Sequence, residues 1–131
     1  MDVGSAPRKV PRVLVVDDTR EVRQLFAEFL SRVGMHVTQA DGGAAALAAT
    51  RSARPDLVVT DIAMPEMNGL ELCRRIRAEP ATRDVPIVIV SGDASHESVA
   101  AWEAGCDALL LKPCSLAVLA ATVQRLLGPW N

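Results

Sequence analysis

From Arg12 onward, short apolar runs alternate with longer amphipathic stretches. Val13-Leu14-Val15-Val16, Leu57-Val58-Val59-Thr60, Ile87-Val88-Ile89-Val90 and Leu109-Leu110-Leu111 are apolar without a polar alternate. Runs of that kind belong to strands buried on both faces of a parallel sheet. Strands are therefore expected near 12–16, 36–40, 57–61, 87–91 and 108–111. Between them the period changes. Val22, Leu25, Phe26, Phe29, Leu30 and Val33 recur at i, i+3, i+4, i+7, i+8 and i+11, which predicts a helix with one buried stripe. Thr19 is placed as its N-cap and Gly34 as its stop. A thin, alanine-rich second helix is expected from Ala44 to Thr50 around Leu47. A third carries Leu70, Cys73 and Ile76 after the turn Met64-Pro65-Glu66-Met67-Asn68-Gly69. A fourth, near Glu97 to Ala104, holds Trp102 and ends at Gly105. The last puts Leu116, Leu119, Ala120, Val123 and Leu127 on one face and stops at Gly128-Pro129. The alternation predicts an α/β fold, a parallel sheet covered by helices on both faces.

Composition narrows this picture. The length of 131 residues suits one core and leaves no room for an output domain. Residues 1–11 are expected to form a flexible arm, 12–128 the domain and 129–131 a short tail. Aromatics are only 3% of the chain, so the core must be Leu, Val, Ile and Ala. A net charge of -2 gives no electrostatic footprint for nucleic acid or an anionic membrane, and Arg8, Lys9 and Arg12 read as solvated. No apolar run approaches a membrane span, and the start lacks the apolar stretch of a signal peptide. Three cysteines, Cys73, Cys106 and Cys114, show no CxxC spacing and read as buried small hydrophobes in a reducing cytoplasm. His36 and His96 lack ligand spacing.

The chemistry sits at the ends of the runs. Asp17 and Asp18 close the first, Asp61 the third, Ser91 the fourth and Lys112 the fifth. In an open α/β sheet the carboxyl ends of the strands share one edge, where ligands bind. Like charges about 4 Å apart repel by roughly 4 kcal/mol at an effective dielectric of about 20. Three acids and one ammonium therefore call for a cation, and Mg²⁺ suits a site of few protein oxygens and several retained waters.

With those residues placed, the chain resembles the receiver domain of two-component response regulators over Arg12 to Leu127. Four motifs carry the resemblance: Val-Val-Asp17-Asp18, Thr60-Asp61-Ile-Ala-Met-Pro65-Glu-Met-Asn-Gly69, Val90-Ser91-Gly92 and Leu111-Lys112-Pro113. Each alone is common; all four in order, at strand ends, are specific. The resemblance implies a flavodoxin-like, doubly wound five-stranded parallel sheet of order 2-1-3-4-5 with five helices. It implies that Asp61 accepts a phosphoryl group from a sensor histidine kinase or histidine phosphotransfer protein. Asp18 would coordinate Mg²⁺ directly and Asp17 through water, with Asp61 and the backbone carbonyl of Ala63 completing the set. Lys112 and Ser91 would meet the phosphoryl oxygens, and the peptide before Pro113 would be cis. The resemblance implies a cytoplasmic phosphorelay component, self-modifying and autodephosphorylating rather than an enzyme, that docks on another protein or passes the phosphoryl group on.

One departure stands out. The family's fifth-strand aromatic is Leu109 here, and Cys114 replaces a common Phe. Read-out is then expected through backbone and apolar repacking, with Trp102 as a contact on a face that includes Leu109 and Pro113. The alternative is a binding module of the same fold that is never phosphorylated. A haloacid-dehalogenase-type phosphatase would need an acid where Ala63 stands, and a flavin binder would find its phosphate repelled by Asp17-Asp18.

Overall fold

The computed structural model describes residues 9–92 and 96–130. The expectations for the arm over residues 1–8 and for Asn131 lie outside those residues, as does the side chain of His96.

The strands are β1 (Arg12–Val16), β2 (His36–Ala40), β3 (Leu57–Asp61), β4 (Ile87–Ser91) and β5 (Ala108–Leu111), each with the bounds expected from the sequence. They pair in parallel, in the order β2-β1-β3-β4-β5. The helices are α1 (Arg20–Arg32), α2 (Gly43–Ser52), α3 (Gly69–Ala78), α4 (His96–Ala104) and α5 (Leu116–Leu127).

Strand alternation sorts the core into two halves. Leu14, Val16, Val58, Ile87 and Ile89 point to one face, against Leu47 of α2, Leu72, Cys73 and Ile76 of α3 and Ala101 of α4. Val13, Val15, Val59, Val88 and Val90 point to the other, against Phe26 and Leu30 of α1 and Leu119 and Val123 of α5. The inner strands β3 and β4 are buried at every position, which is why their sequences stay apolar until the polar residues that close them. Each buried Val, Leu or Ile contributes about 1.5–3 kcal/mol relative to exposure, so this double layer is what holds the strands in register.

One local reading is corrected. Leu25 is 50% exposed, not part of the buried stripe. At 3.6 residues per turn it lies roughly 90° from the stripe's midline, while Phe26 and Leu30 face the sheet. Thr19 occupies the N-cap of α1, yet its side chain makes no capping bond. The loop is held instead by Asp17, whose Oδ1 accepts from the Thr19 amide at 2.8 Å. Gly34 does end α1, at φ 103°, a conformation that favours glycine.

Candidate functional site

Parallel pairing brings every strand's carboxyl end to one edge, and the sequence ends four strands on reactive side chains. Asp61 is the last residue of β3 and Ser91 the last of β4. Asp17 follows β1, its amide still in the sheet through a bond to the Ala40 carbonyl. Lys112 follows β5, and its amide donates to the Ser91 carbonyl at 2.8 Å.

The side chains converge. Carboxylate oxygens of Asp17, Asp18 and Asp61 all lie within 4.8 Å of one another. Lys112 Nζ stands 3.0 Å from Asp61 Oδ1, which also accepts from the Ile62 amide at 2.8 Å. Asp17 and Asp61 are buried, whereas Asp18 is exposed. Ala63 lies two residues past Asp61, in the loop after β3. The peptide between Lys112 and Pro113 is cis.

Charge does not balance at this edge. Three acids against one ammonium leave the set two negative, and at 4.8 Å a pair of like charges costs roughly 3.5 kcal/mol at an effective dielectric of about 20. Burial pushes the Asp17 carboxyl above its ordinary 3.8, with Asp61 and Asp18 adding to the rise; the Thr19 amide and Lys112 pull the other way. A fold that keeps this cost, with oxygen donors only, has the chemistry of a site for a hard divalent cation.

Residues that the strand-end pattern did not point to complete the edge. Arg23 of α1 donates from Nη1 to the Asp17 carbonyl at 2.9 Å and from Nε to Gln39 Oε1 at 3.1 Å, clamping the first loop. Gly69 opens α3 so close to β3 that a Cβ would collide with the Asp61 carbonyl oxygen, and its amide donates to the Ile62 carbonyl at 2.9 Å. Glu97, read from the sequence only as the start of a helix, accepts the Ser91 hydroxyl at Oε1, 2.5 Å away. Its place six residues after Ser91 was the available signal, although an acid in a first helical turn ordinarily answers the helix dipole.

The expected output face divides. Leu109 is half-buried against the core under α3 and α4. Trp102 is 53% exposed on α4, and Val99, Leu111 and Val118 are exposed as well. Burial pushes the Cys73 and Cys106 thiols up to about 11, and that of Cys114, only half-buried, upward too. His36 is exposed at the start of β2.

Residues 13–124 match the family described as response regulator receiver domain. Among curated proteins, the chain is 43% identical over 117 residues to the response regulator MprA of Mycolicibacterium vanbaalenii, a match covering 88% of this chain and 50% of that one. The chain thus spans about half the length of the curated relatives it matches. Among solved structures, it is similar to the chemotaxis protein CheY4 of Vibrio cholerae, at a TM-score of 0.84 and 31% identity over 90% of this chain and 99% of that one. A response regulator receiver protein from Pseudomonas putida gives a TM-score of 0.83 and 34% identity, over 89% and 98% of the two chains.

Proposed function

The chain belongs to the response regulator receiver domain family, and from that premise we propose that Asp61 is its phosphoryl acceptor, loaded from a phosphohistidine on a sensor kinase or phosphotransfer protein. The observation that carries the reading is the contact of Lys112 Nζ with Asp61 Oδ1 at 3.0 Å, inside a cluster of three carboxylates. An ordinary ion pair needs one acid; here the paired acid stands in a cluster of three.

In the proposed step an Asp61 carboxylate oxygen attacks phosphorus as the P–N bond of the donor breaks, and the imidazole departs with the bonding pair and takes up a proton. Such transfers rest on positioning and charge stabilisation more than on covalent help. Asp17, Asp18, Asp61 and the carbonyl of Ala63 are the groups that would hold Mg²⁺. When bound, the ion would offset the charge on the transferring phosphoryl oxygens. Lys112 passes from the Asp61 carboxylate to a phosphoryl oxygen as a compact point charge, and the Ser91 hydroxyl donates to another. The product carries about two negative charges and three acceptors where one carboxylate stood, enough to bias the surrounding loops and the surface read by a downstream protein. The acting unit in this reading is residues 12–128, working in the cytoplasm, with the aspartyl phosphate lost again by self-catalysed hydrolysis.

Incubation with acetyl phosphate and Mg²⁺, followed by intact mass, tests it. Gain of one phosphoryl group, abolished in Asp61→Asn, is the expected result. The second reading, a binding module that never carries phosphate, draws on Leu109 standing where the family has an aromatic. No mass gain with wild-type protein would favour it.

A further inference from the structure

Ser91 is wholly buried at the end of β4, and its hydroxyl donates to Glu97 Oε1 at 2.5 Å. A hydroxyl donating to a carboxylate makes a charge-assisted hydrogen bond, about twice as strong as a neutral one. Glu97 sits half-buried in the first turn of α4, where the helix dipole also favours a carboxylate. A serine hydroxyl has one proton to give. It can serve the Glu97 carboxylate or a phosphoryl oxygen at the site, but not both.

We propose that Glu97 is a latch on Ser91, a positioning residue that holds the hydroxyl away from the acceptor site until a phosphoryl group evicts it. The inference rests on the reading of Asp61 as acceptor. Eviction has two drives. The arriving oxygens accept the Ser91 hydroxyl's hydrogen bond, and their charge, about two negative, repels the carboxylate that has just lost its partner. Release of Glu97 then frees the first turn of α4 to shift, because that contact ties it to β4. The phosphoryl group thus reaches α4 through a side-chain acid rather than through an aromatic rotamer on β5, where this chain has only Leu109. The latch biases a two-state equilibrium, and its removal should make the phosphoryl-accepting state easier to reach.

The test is the initial rate of phosphoryl gain from acetyl phosphate at fixed Mg²⁺, read by intact mass. Glu97→Ala should be modified roughly tenfold faster than wild type, the order expected when a charge-assisted bond no longer has to be broken. Glu97→Gln keeps an acceptor oxygen without the charge and should fall between the two. In a Ser91→Ala background the Glu97→Ala gain should vanish, since the latch then has nothing to hold. A merely structural Glu97 would lower the melting temperature without raising the rate. Rates equal to or below wild type in both Glu97 variants, or a gain undiminished by Ser91→Ala, would overturn the latch. Wild-type protein that gains no mass would instead remove the acceptor reading beneath it, a separate result.

Discussion

Lys112 reaches Asp61 across an intervening strand: its Nζ lies 3.0 Å from Asp61 Oδ1, although β5 and β3 are separated in the sheet by β4. The lysine is long enough to pass over the end of β4, and its own amide is tied to the Ser91 carbonyl there. One ammonium therefore touches a carboxylate two strands away while its backbone is registered on the strand between.

Removing that ammonium should separate stability from acceptance. Lys112 is 38% exposed at its side chain, so solvent screens the pair and its loss should cost only about 1 kcal/mol in metal-free protein. Acceptance from acetyl phosphate should fall roughly a hundredfold in Lys112→Ala, the scale for loss of one preorganised charge donor. Lys112→Arg should not restore it, since a planar fork does not replace a point charge. Denaturant midpoints and a mass time course measure the two effects. Near-wild-type acceptance in Lys112→Ala would remove the lysine from the chemistry.

Gly69 should be intolerant of even one methyl. Both the carbonyl oxygen and the carbonyl carbon of Asp61 stand where an alanine Cβ would go, and backbone cannot rotate aside as a side chain can. Gly69→Ala should cost about 2–3 kcal/mol and weaken Mg²⁺ binding by displacing Asp61. Gly42→Ala is the control, because nothing lies within 4 Å of a Cβ there. Equal chemical denaturation midpoints for the two variants would show that the close approach is not constraining.

Much of this was readable from the chain, for identifiable reasons. Four of the five strands coincide to within a residue with apolar runs, and β3 and β4 most plainly, because they have no solvent face to interrupt the pattern. Asp17, Asp18, Asp61, Ser91 and Lys112 meet because parallel strands place their carboxyl ends together, a consequence of topology that spacing alone can exploit. Leu25 misled because an i+3 match does not tell the flank of a stripe from its centre. Glu97 and Arg23 were silent because they act across the sheet edge, through rotamers and loop paths that no period encodes. Gly69 was visible as a motif letter, while its reason, contact with the Asp61 backbone, is purely spatial.

The two tryptophans should report differently. Trp102 stands 53% exposed on α4, the helix that begins with the Glu97 contact. Trp130 lines a hollow with Pro11, Asp56 and Pro86, residues just before β1, β3 and β4, at the opposite end of the sheet. In Trp130→Phe protein, adding Mg²⁺ with beryllium fluoride should change the emission of Trp102 and saturate with the mimic. In Trp102→Phe protein the same addition should leave Trp130 emission nearly flat. A silent Trp102 would mean that α4 does not follow the site.

Asp17 sets the sign of a pH effect. Its carboxyl is raised above 3.8 by burial first and then by Asp61 and Asp18, so the fold prefers it protonated. A group raised on folding stabilises the fold fully below its unfolded value, here 3.8, and that contribution is lost as pH climbs through the folded value. At neutral pH the metal-free protein therefore carries an unfavourable charge, which Asp17→Asn should relieve while its amide oxygen still accepts from the Thr19 amide. The variant should melt a few degrees higher than wild type in chelator at pH 7, a gain of about 1 kcal/mol, and the gap should close on acidification toward 3.8. Mg²⁺ should reverse the order at pH 7 by stabilising wild type more than the variant, and this too should fade with acid as protons compete for the same oxygen. A variant that melts below wild type without metal at neutral pH would show that the acidic cluster is not under electrostatic load, and the case for a cation there would lose its physical basis.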